Sequence, residues 1–191
     1  MKKIRVAVIG TTGLPARYGG FETLAHHLVN NLSKDFDMTV YCSSKYFGKP
    51  GKRLENYNGA KLEYLPLNAN GYQSIPYDIL SILHAVRRND VLLLLGVSGA
   101  VLLPFLKMFT KKPILVNIDG QEWKRPKWNW IARKVLGWSE KLAVAFADKV
   151  ITDNTTASAS IPLTYLLVPL SIEFSIRYGF RSELHWGQTV S

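Results

Sequence analysis

The sequence is poor in cysteine, with one, Cys42, among 191 residues. A single cysteine cannot form an intramolecular disulfide, so a small disulfide-stapled fold is excluded and a reducing compartment such as the cytoplasm is favoured. The first residues, MKKIRVAVIG, are basic, but their apolar run is too short for a secretory signal and ends in glycine. The chain is therefore predicted to be cytoplasmic.

The segment that looks most like a membrane span is short and interrupted. Residues 91–106, VLLLLGVSGAVLLPFL, hold no charge, but a transmembrane helix needs about 20 apolar residues. Gly96, Ser98 and Gly99 also break the run where a strand would turn into a helix. The segment is predicted to form a buried strand followed by a helix rather than a membrane span.

Acidic residues are scarce: the sequence has 14 Asp and Glu but 24 Lys and Arg, which gives a formal charge of +10 at pH 7. This excess favours an anionic partner, namely nucleic acid, anionic lipid or a phosphorylated substrate, and is equally compatible with an ordinary basic enzyme surface. All of the excess lies in residues 1–153, because the charges beyond them cancel: Glu173, Arg177, Arg181 and Glu183.

Apolar runs of strand length alternate along the chain with helical periodicity. The runs lie at 4–9, 38–42, 61–67, 91–95, 113–118 and 149–152. Helix spacing occurs at 20–33, 75–86, 99–109 and from about 126 onward, where one face collects Ile131, Val135, Trp138, Leu142 and Ala145. The alternation predicts an α/β fold with a doubly wound, Rossmann-like parallel sheet of about six strands. The connection 43–60 is predicted to be a polar, basic loop.

Residues 154–191 break this organisation. They show no sustained period, contain prolines at 162 and 169, and have no lysine. They are either an irregular extension packed on the sheet or a non-native continuation after a truncation, and the second interpretation is favoured. The predicted domain is therefore 1–153, followed by an irregular tail.

The first predicted strand runs into a glycine-rich segment, IGTTGLPARYGGFETL. Ligands of doubly wound sheets bind beyond the carboxyl ends of the strands, so this segment is the first candidate site. Its glycines permit positive φ angles and close backbone approach, the helix that follows offers an N-terminus to an anion, and Arg17 adds a guanidinium suited to phosphate. A glycine-rich turn without a ligand is the alternative.

An NAD site is disfavoured in this segment. The G-x-G-x-x-G spacing is absent, and the second predicted strand, MTVYCSS, ends without the acidic residue that would bind a ribose. An oxidoreductase is therefore not expected. His26 and His27 lie in a helical pattern without a second ligand pair, so a metal site is not expected either.

Four ordered motifs resemble a known family. The segment GTTGLPARYGGFE at 10–22 is followed by LNANGYQSIPYDI at 67–79, LLLGVSGAVLLP at 93–104 and NIDGQEWKRPKWN at 117–129, and then by SEKLAVAFADKVITDN. Across residues 4–154 the chain resembles bacterial glycosyltransferases of family 4, in the subgroup that includes rhamnosyltransferases of capsule and exopolysaccharide assembly.

The resemblance implies one half of a GT-B fold, in which two Rossmann-like domains face each other across the active-site cleft. The N-terminal domain supplies the acceptor side, and the C-terminal domain, which these residues lack, binds the nucleotide sugar. The implied reaction is retaining and metal-independent, and it needs no cofactor beyond the nucleotide-sugar donor.

The implied function is transfer of a sugar, rhamnose among the candidates, to a lipid-linked saccharide acceptor in cell-surface polysaccharide synthesis. Nucleotide sugar would bind only with a C-terminal domain, so the isolated chain is expected to be inactive. The alternative is a non-catalytic module of the same fold that binds glycolipid or a partner.

The motif match also implies site residues. Asp119, at the end of the fifth predicted strand, matches the position where the family places a His or Asp near the transferred sugar, and capping of the loop is the alternative role. The implied substrate contacts are Gly13, Arg17, Tyr18, Gly19, Gly20, Phe21, Glu22, Asn68, Asn70, Ser98, Glu122, Trp123 and Arg125. Among them Asn68, Asn70 and Ser98 are equally ordinary turn residues.

Tryptophans interleave with lysines and arginines between residues 123 and 141. Tryptophan and basic residues on an amphipathic helix fit the surface of an anionic bilayer, so peripheral contact with the inner face of the membrane is expected. The alternative is that Trp130 and Trp138 lie in the core. Single-stranded RNA could also stack on such rings, but no RNA-binding motif accompanies them, and a nucleic-acid partner is not expected.

Overall fold

The computed structural model describes residues 2–17, 19–47, 51, 53–118 and 128–151, which build a seven-stranded sheet with helices on both faces. Along the chain the elements are β1 (Arg5–Ile9), α1 (Gly20–Leu32), β2 (Asp37–Ser43), α2 (Ser44–Phe47), β3 (Asn56–Tyr57), β4 (Ala60–Leu65), α3 (Ser74–Arg88), β5 (Val91–Leu95), α4 (Leu103–Phe109), β6 (Ile114–Asn117), α5 (Trp130–Phe146) and β7 (Lys149–Ile151). Short 3-10 turns, Gly71–Gln73 and Ala100–Leu102, lead into α3 and α4.

The strand order is β3-β4-β2-β1-β5-β6-β7. β1 pairs in parallel with β2 and with β5, and parallel pairing continues outward to β4 on one side and to β7 on the other. The predicted α/β fold with a doubly wound, Rossmann-like sheet is confirmed, and all six predicted strands are present.

The prediction of a plain loop over 43–60 is wrong in two places. The helix α2 begins directly after β2, and its Tyr46 and Phe47 rings lie edge to face with centroids 5.5 Å apart. The two-residue β3 runs antiparallel to β4 across a turn at Asn58 and Gly59, both at positive φ. An Asn-Gly pair favours this kind of tight hairpin turn, and it accounts for the seventh strand.

The central strands are buried on both faces, which explains their continuous apolar runs. In β5 all five residues of VLLLL are buried. Leu92 and Leu94 pack into the core beneath α3, α4 and α5. Leu93 and Leu95 belong to the core on the opposite face, which α1 covers. The segment 91–106 is therefore a strand, a turn and a helix, as predicted.

The helix α5 exposes its largest apolar side chains, Trp130, Ile131 and Trp138, to solvent. Its N-cap, Asn129, accepts a hydrogen bond from the Ala132 backbone N–H at 2.8 Å, and its buried residues are Leu136, Ser139 and Ala143. Trp130 is 67% exposed and Trp138 is 71% exposed. The alternative that these two tryptophans lie in the core is therefore wrong.

All strands of the described sheet except β3 point the same way, so the residues that follow them gather along one side of the sheet, called here the carboxyl edge. This edge is where doubly wound sheets bind their ligands. Of the helices in the described ranges, none has the length and hydrophobicity to cross a membrane.

Candidate functional site

The loop after β1 is pressed onto the ends of two neighbouring strands. Gly10 has a φ of 94°, and a Cβ atom there would lie 2.0 Å from the Leu95 carbonyl oxygen. Gly13 has a φ of 123°, and its Cβ would lie 2.6 Å from the Cys42 Sγ atom. Both positions require glycine, because a side chain would be strained in backbone conformation and would collide with β5 or β2.

Glu22 fixes the same loop from inside helix α1. Its Oε1 atom accepts hydrogen bonds from the Thr12 backbone N–H at 2.9 Å and from the Thr12 hydroxyl at 2.7 Å, and Glu22 is buried. Gly19 lies against the other carboxylate oxygen, since a Cβ there would come within 2.1 Å of Oε2. Glu22, implied as a substrate contact, therefore has a clear part in holding the loop in place.

The outer part of the loop presents Arg17 to solvent. Its guanidinium carbon lies 5.0 Å from the Phe47 ring centroid and 6.0 Å from that of Tyr46. None of the described carboxylates is within salt-bridge distance of Arg17. Among the described residues, the cation is therefore exposed at the carboxyl edge without a carboxylate partner.

Gly20 and Phe21 begin α1 in different surroundings. A Cβ atom at Gly20 would meet nothing within 4 Å, so space there is open. The Phe21 ring covers the loop after β5, because a Cβ at Gly96 would lie 3.1 Å from it. Phe21 thus links the glycine loop to the next loop along the edge.

A buried carboxyl group lies beneath the loop after β5. The Ser98 hydroxyl donates a hydrogen bond to the Asp78 Oδ2 atom, whereas Asp78 Oδ1 has no partner among the described residues. Burial raises the pKa of Asp78 to about 7, and the Ser98 hydrogen bond opposes that rise. Gly99 permits the close approach, since a Cβ there would lie 2.9 Å from the Asp78 Cβ. Asp78 can therefore change charge near neutral pH.

Sequence reasoning missed Asp78 as a site residue. It occupies a core position of an amphipathic helix, next to the buried Tyr77, whose hydroxyl donates to the Thr11 carbonyl oxygen at 3.1 Å. The sequence feature that could have identified Asp78 is a carboxylate at a helix position where the periodicity predicts an apolar residue. Ser74, one turn earlier, is also buried, and its hydroxyl has no partner among the described residues.

The turn after β4 shows ordinary turn chemistry. The Asn70 backbone N–H donates to the Asn68 side-chain oxygen at 3.1 Å, which is an Asx turn, and the Asn68 N–H donates to the Gln73 side-chain oxygen at 3.1 Å. These contacts match the turn alternative for Asn68 and Asn70, while both residues still follow β4 at the carboxyl edge.

The next strand end along the carboxyl edge is that of β6. Asn117 is buried there, and its side-chain oxygen has no partner within the described ranges. Asp119 follows two residues later but, with Glu122, Trp123 and Arg125, lies outside the described residues, as does Tyr18 of the first loop.

The structure thus places the implied residues of three loops at one edge, after β1, β4 and β5. They bring an exposed guanidinium, backbone and hydroxyl groups, and a buried carboxyl group that titrates near pH 7. This set suits recognition of phosphate and sugar hydroxyls. Within the described ranges, His, Cys, Asp and Glu form no cluster of three that could hold a metal ion.

Comparison with known proteins adds a family and a fold. The model of the family described as "Domain of unknown function (DUF1972)" matches residues 3–179. A search of curated proteins finds no significant match. A sucrose-phosphate synthase from Thermosynechococcus elongatus superposes with a TM-score of 0.63 at 13% identity, over 82% of this chain and 44% of the synthase. A UDP-N-acetylglucosamine 2-epimerase from Rickettsia bellii has a TM-score of 0.47 at 18% identity, over 96% of this chain and 50% of the epimerase.

The likeness to the synthase is one of fold, and this chain spans less than half of the synthase's length. The described domain has a Rossmann-like α/β fold similar to that of the domains of GT-B proteins.

Proposed function

This chain belongs to the DUF1972 family, and we propose that it works as the acceptor-side domain of a GT-B glycosyltransferase. The observation that carries the proposal is the glycine loop after β1. It is seated on β2 and β5, braced by Glu22, and leaves Arg17 exposed at the carboxyl edge. A loop held in place beside an exposed cation suits a cleft that holds a substrate with phosphate and hydroxyl groups.

The proposed reaction transfers a sugar from a nucleotide sugar to a hydroxyl of a lipid-linked saccharide acceptor, with retention and without a metal ion. Rhamnose is the first sugar to test, because the motifs at 10–22 and 117–129 resemble those of rhamnosyltransferases. Asp119 is proposed to accept the proton of the attacking hydroxyl or to balance developing positive charge on the sugar.

The exposed surface of α4 and α5 supports a proposed peripheral contact with a membrane. These helices contact each other and expose large apolar residues: Phe105, Met108, Phe109, Trp130, Ile131 and Trp138. Basic side chains flank them, and the Lys134 ammonium lies 5.2 Å from the Trp130 ring centroid. We call this surface the α4–α5 face and propose that it rests on anionic lipid at the inner side of the membrane, because apolar rings with lysines match such an interface.

The function is tested by reconstituting transfer. The 191-residue chain is mixed with a donor-binding domain of a family 4 rhamnosyltransferase, a nucleotide-activated rhamnose and a prenyl-diphosphate-linked saccharide. Labelled product is expected only when both domains are present, because the leaving diphosphate and the attacking hydroxyl are held by different domains. Asp119→Ala should lower the rate about 100-fold, as loss of one charge-stabilising or proton-accepting group does.

Arg87→Ala is the control in this assay, since Arg87 is an exposed residue near the end of α3. If the chain binds the prenyl-linked saccharide but never supports transfer with any donor domain, the non-catalytic binding module is the correct function. If the chain alone transfers rhamnose, the donor site has been assigned to the wrong domain.

A further inference from the structure

Two arginines and three aromatic rings form a cluster beside the glycine loop. Arg17 comes from that loop, Tyr46 and Phe47 from α2, Arg53 from the connection between α2 and β3, and Tyr64 from β4. We call this cluster the arginine shelf. The Arg17 guanidinium carbon lies 5.0 Å from the Phe47 ring centroid, and that of Arg53 lies 5.2 Å from the Tyr64 ring centroid. The Phe47 and Tyr64 rings adjoin, with centroids 6.1 Å apart.

The shelf is built against the glycine loop. A Cβ atom at Gly13 would lie 2.8 Å from a ring carbon of Phe47, so the glycine lets the loop and the ring touch. The Tyr64 hydroxyl donates to the Leu54 carbonyl oxygen at 2.9 Å, and Arg53 donates to the Ser44 carbonyl oxygen at 3.2 Å. These bonds hold Arg53 and Leu54 against α2 and β4, so the Arg53 cation has a defined position before any ligand arrives.

Both cations act on the same ring. Burial raises the pKa of the Tyr64 phenol, and the charges of Arg53 and Arg17 oppose that rise. The sequence from 44 to 54, SKYFGKPGKRL, contains four cations and no carboxylate. Among the described residues, no carboxylate pairs with Arg17.

A guanidinium stacked on a ring face carries its N–H donors at the edges of its own plane, where they reach other acceptors, as one Arg53 donor does at the Ser44 carbonyl oxygen. Arginine donors in this arrangement match phosphate oxygens, and two of them on adjoining rings suit a ligand with two linked phosphates. We propose that the arginine shelf binds a diphosphate group of a substrate. This inference rests on the proposed function, in which the diphosphate belongs either to the prenyl-linked acceptor or to the nucleotide-sugar donor.

The experiment is isothermal titration calorimetry of the full 191-residue chain with geranyl diphosphate, UDP and geranyl monophosphate. Diphosphate binding is expected for the unaltered chain, and Arg17→Gln and Arg53→Gln should each weaken it about tenfold, as loss of one charge-assisted contact does. Phe47→Leu keeps both charges but removes one ring, and it should weaken binding because Arg17 loses its support. Arg87→Gln, an exposed arginine of α3, is the matched control and should leave binding unchanged.

Geranyl diphosphate and UDP distinguish the two substrates that could supply the diphosphate group, the prenyl-linked acceptor and the nucleotide-sugar donor. Tighter, arginine-dependent binding of geranyl diphosphate assigns the shelf to the acceptor, and tighter binding of UDP assigns it to the donor. Equal affinity of the unaltered chain and both arginine variants for every ligand, with unchanged circular dichroism, would overturn the proposal. So would monophosphate binding as tight as diphosphate binding. This calorimetry does not measure sugar transfer. If the arginine shelf does not bind diphosphate, the proposed acceptor-side function is therefore not contradicted.

Discussion

At the scale of single residues, the candidate site depends on contacts between residues far apart in sequence. In the sequence, Glu22 is an acidic residue in the first turn of a predicted helix. In the structure, its carboxylate accepts hydrogen bonds from Thr12 of the preceding loop. Asp78 reads as a polar interruption of a helix, yet it is buried and bonded to Ser98. Sequence periodicity could not identify these roles, because it does not say which loop a buried carboxylate will meet.

The Asp78 carboxyl group should make stability depend on pH. Burial raises its pKa in the folded protein to about 7, from an ordinary value of 3.8 that applies to the unfolded chain. Between those two pH values the folded state keeps the proton and the unfolded state has released it. The free energy of unfolding should therefore fall as pH rises, by about 1.4 kcal/mol per pH unit from this group.

Asp78→Asn removes the titrating group, so the stability of the variant relative to the unaltered chain should increase from about pH 4 to about pH 7 and then level off. Urea unfolding at several pH values measures this difference. Asp90→Asn is the control, because its hydrogen bond with Arg5 lowers the pKa of Asp90 to about 2 and its contribution therefore changes only at lower pH. Parallel stability curves for Asp78→Asn and the unaltered chain would contradict the raised pKa.

At the scale of elements, helix and strand positions follow closely from periodicity, but the face that a helix buries does not. The predicted stripe of Ile131, Val135, Trp138, Leu142 and Ala145 marks α5 as a helix, yet Ile131, Trp138 and Ala145 are exposed and Val135 and Leu142 are only partly buried. The buried residues of α5 are Leu136, Ser139 and Ala143, on the side that packs on its neighbours. Large apolar residues that the described core leaves exposed are consistent with a surface for an external partner.

Replacing two rings of the α4–α5 face should weaken membrane binding. Phe109→Ser together with Trp138→Ser removes two exposed rings, and vesicle affinity should fall about tenfold or more because each ring contributes buried apolar area in the bilayer interface. Co-sedimentation with phosphatidylcholine vesicles, with and without phosphatidylglycerol, measures the effect. Binding of the unaltered chain should need the anionic lipid and should decrease with salt.

Tyr72→Ser is the control for that experiment. Tyr72 is 79% exposed but lies in the 3-10 turn before α3, away from α4 and α5. If the double variant and Tyr72→Ser bind vesicles equally well, the α4–α5 face does not contact lipid.

At the scale of the whole molecule, the part of the chain that the structure describes ends with β7 at Ile151. Within that part, β7 pairs with β6 and the two core clusters draw their members from residues 4 to 151. The charge excess is likewise confined to residues 1–153. The domain boundary at 153 stays a prediction.

A chain that ends at Asp153 should therefore keep its fold. Its circular dichroism should match that of the 191-residue chain, and its free energy of unfolding should differ by no more than about 1 kcal/mol, because the irregular tail is predicted to add little to the core. Loss of cooperative unfolding in the shorter chain would show that residues 154–191 contribute to the core. A chain shortened further, to Ala147, is the matched comparison and should be destabilised because it lacks β7.

The sequence by itself determined the alternation of strands and helices, the parallel sheet that this alternation requires, and the glycine loop at its carboxyl edge. These features follow from local periodicity and from the backbone freedom of glycine. Both depend only on residues that are close together in the sequence. Only the tertiary structure decided that Arg17 lies over Phe47, that Glu22 holds Thr12, that Asp78 is buried against Ser98, and that Trp138 faces outward. Each of these depends on the packing of elements that the sheet brings together, and packing is a property of the folded surfaces rather than of any one segment.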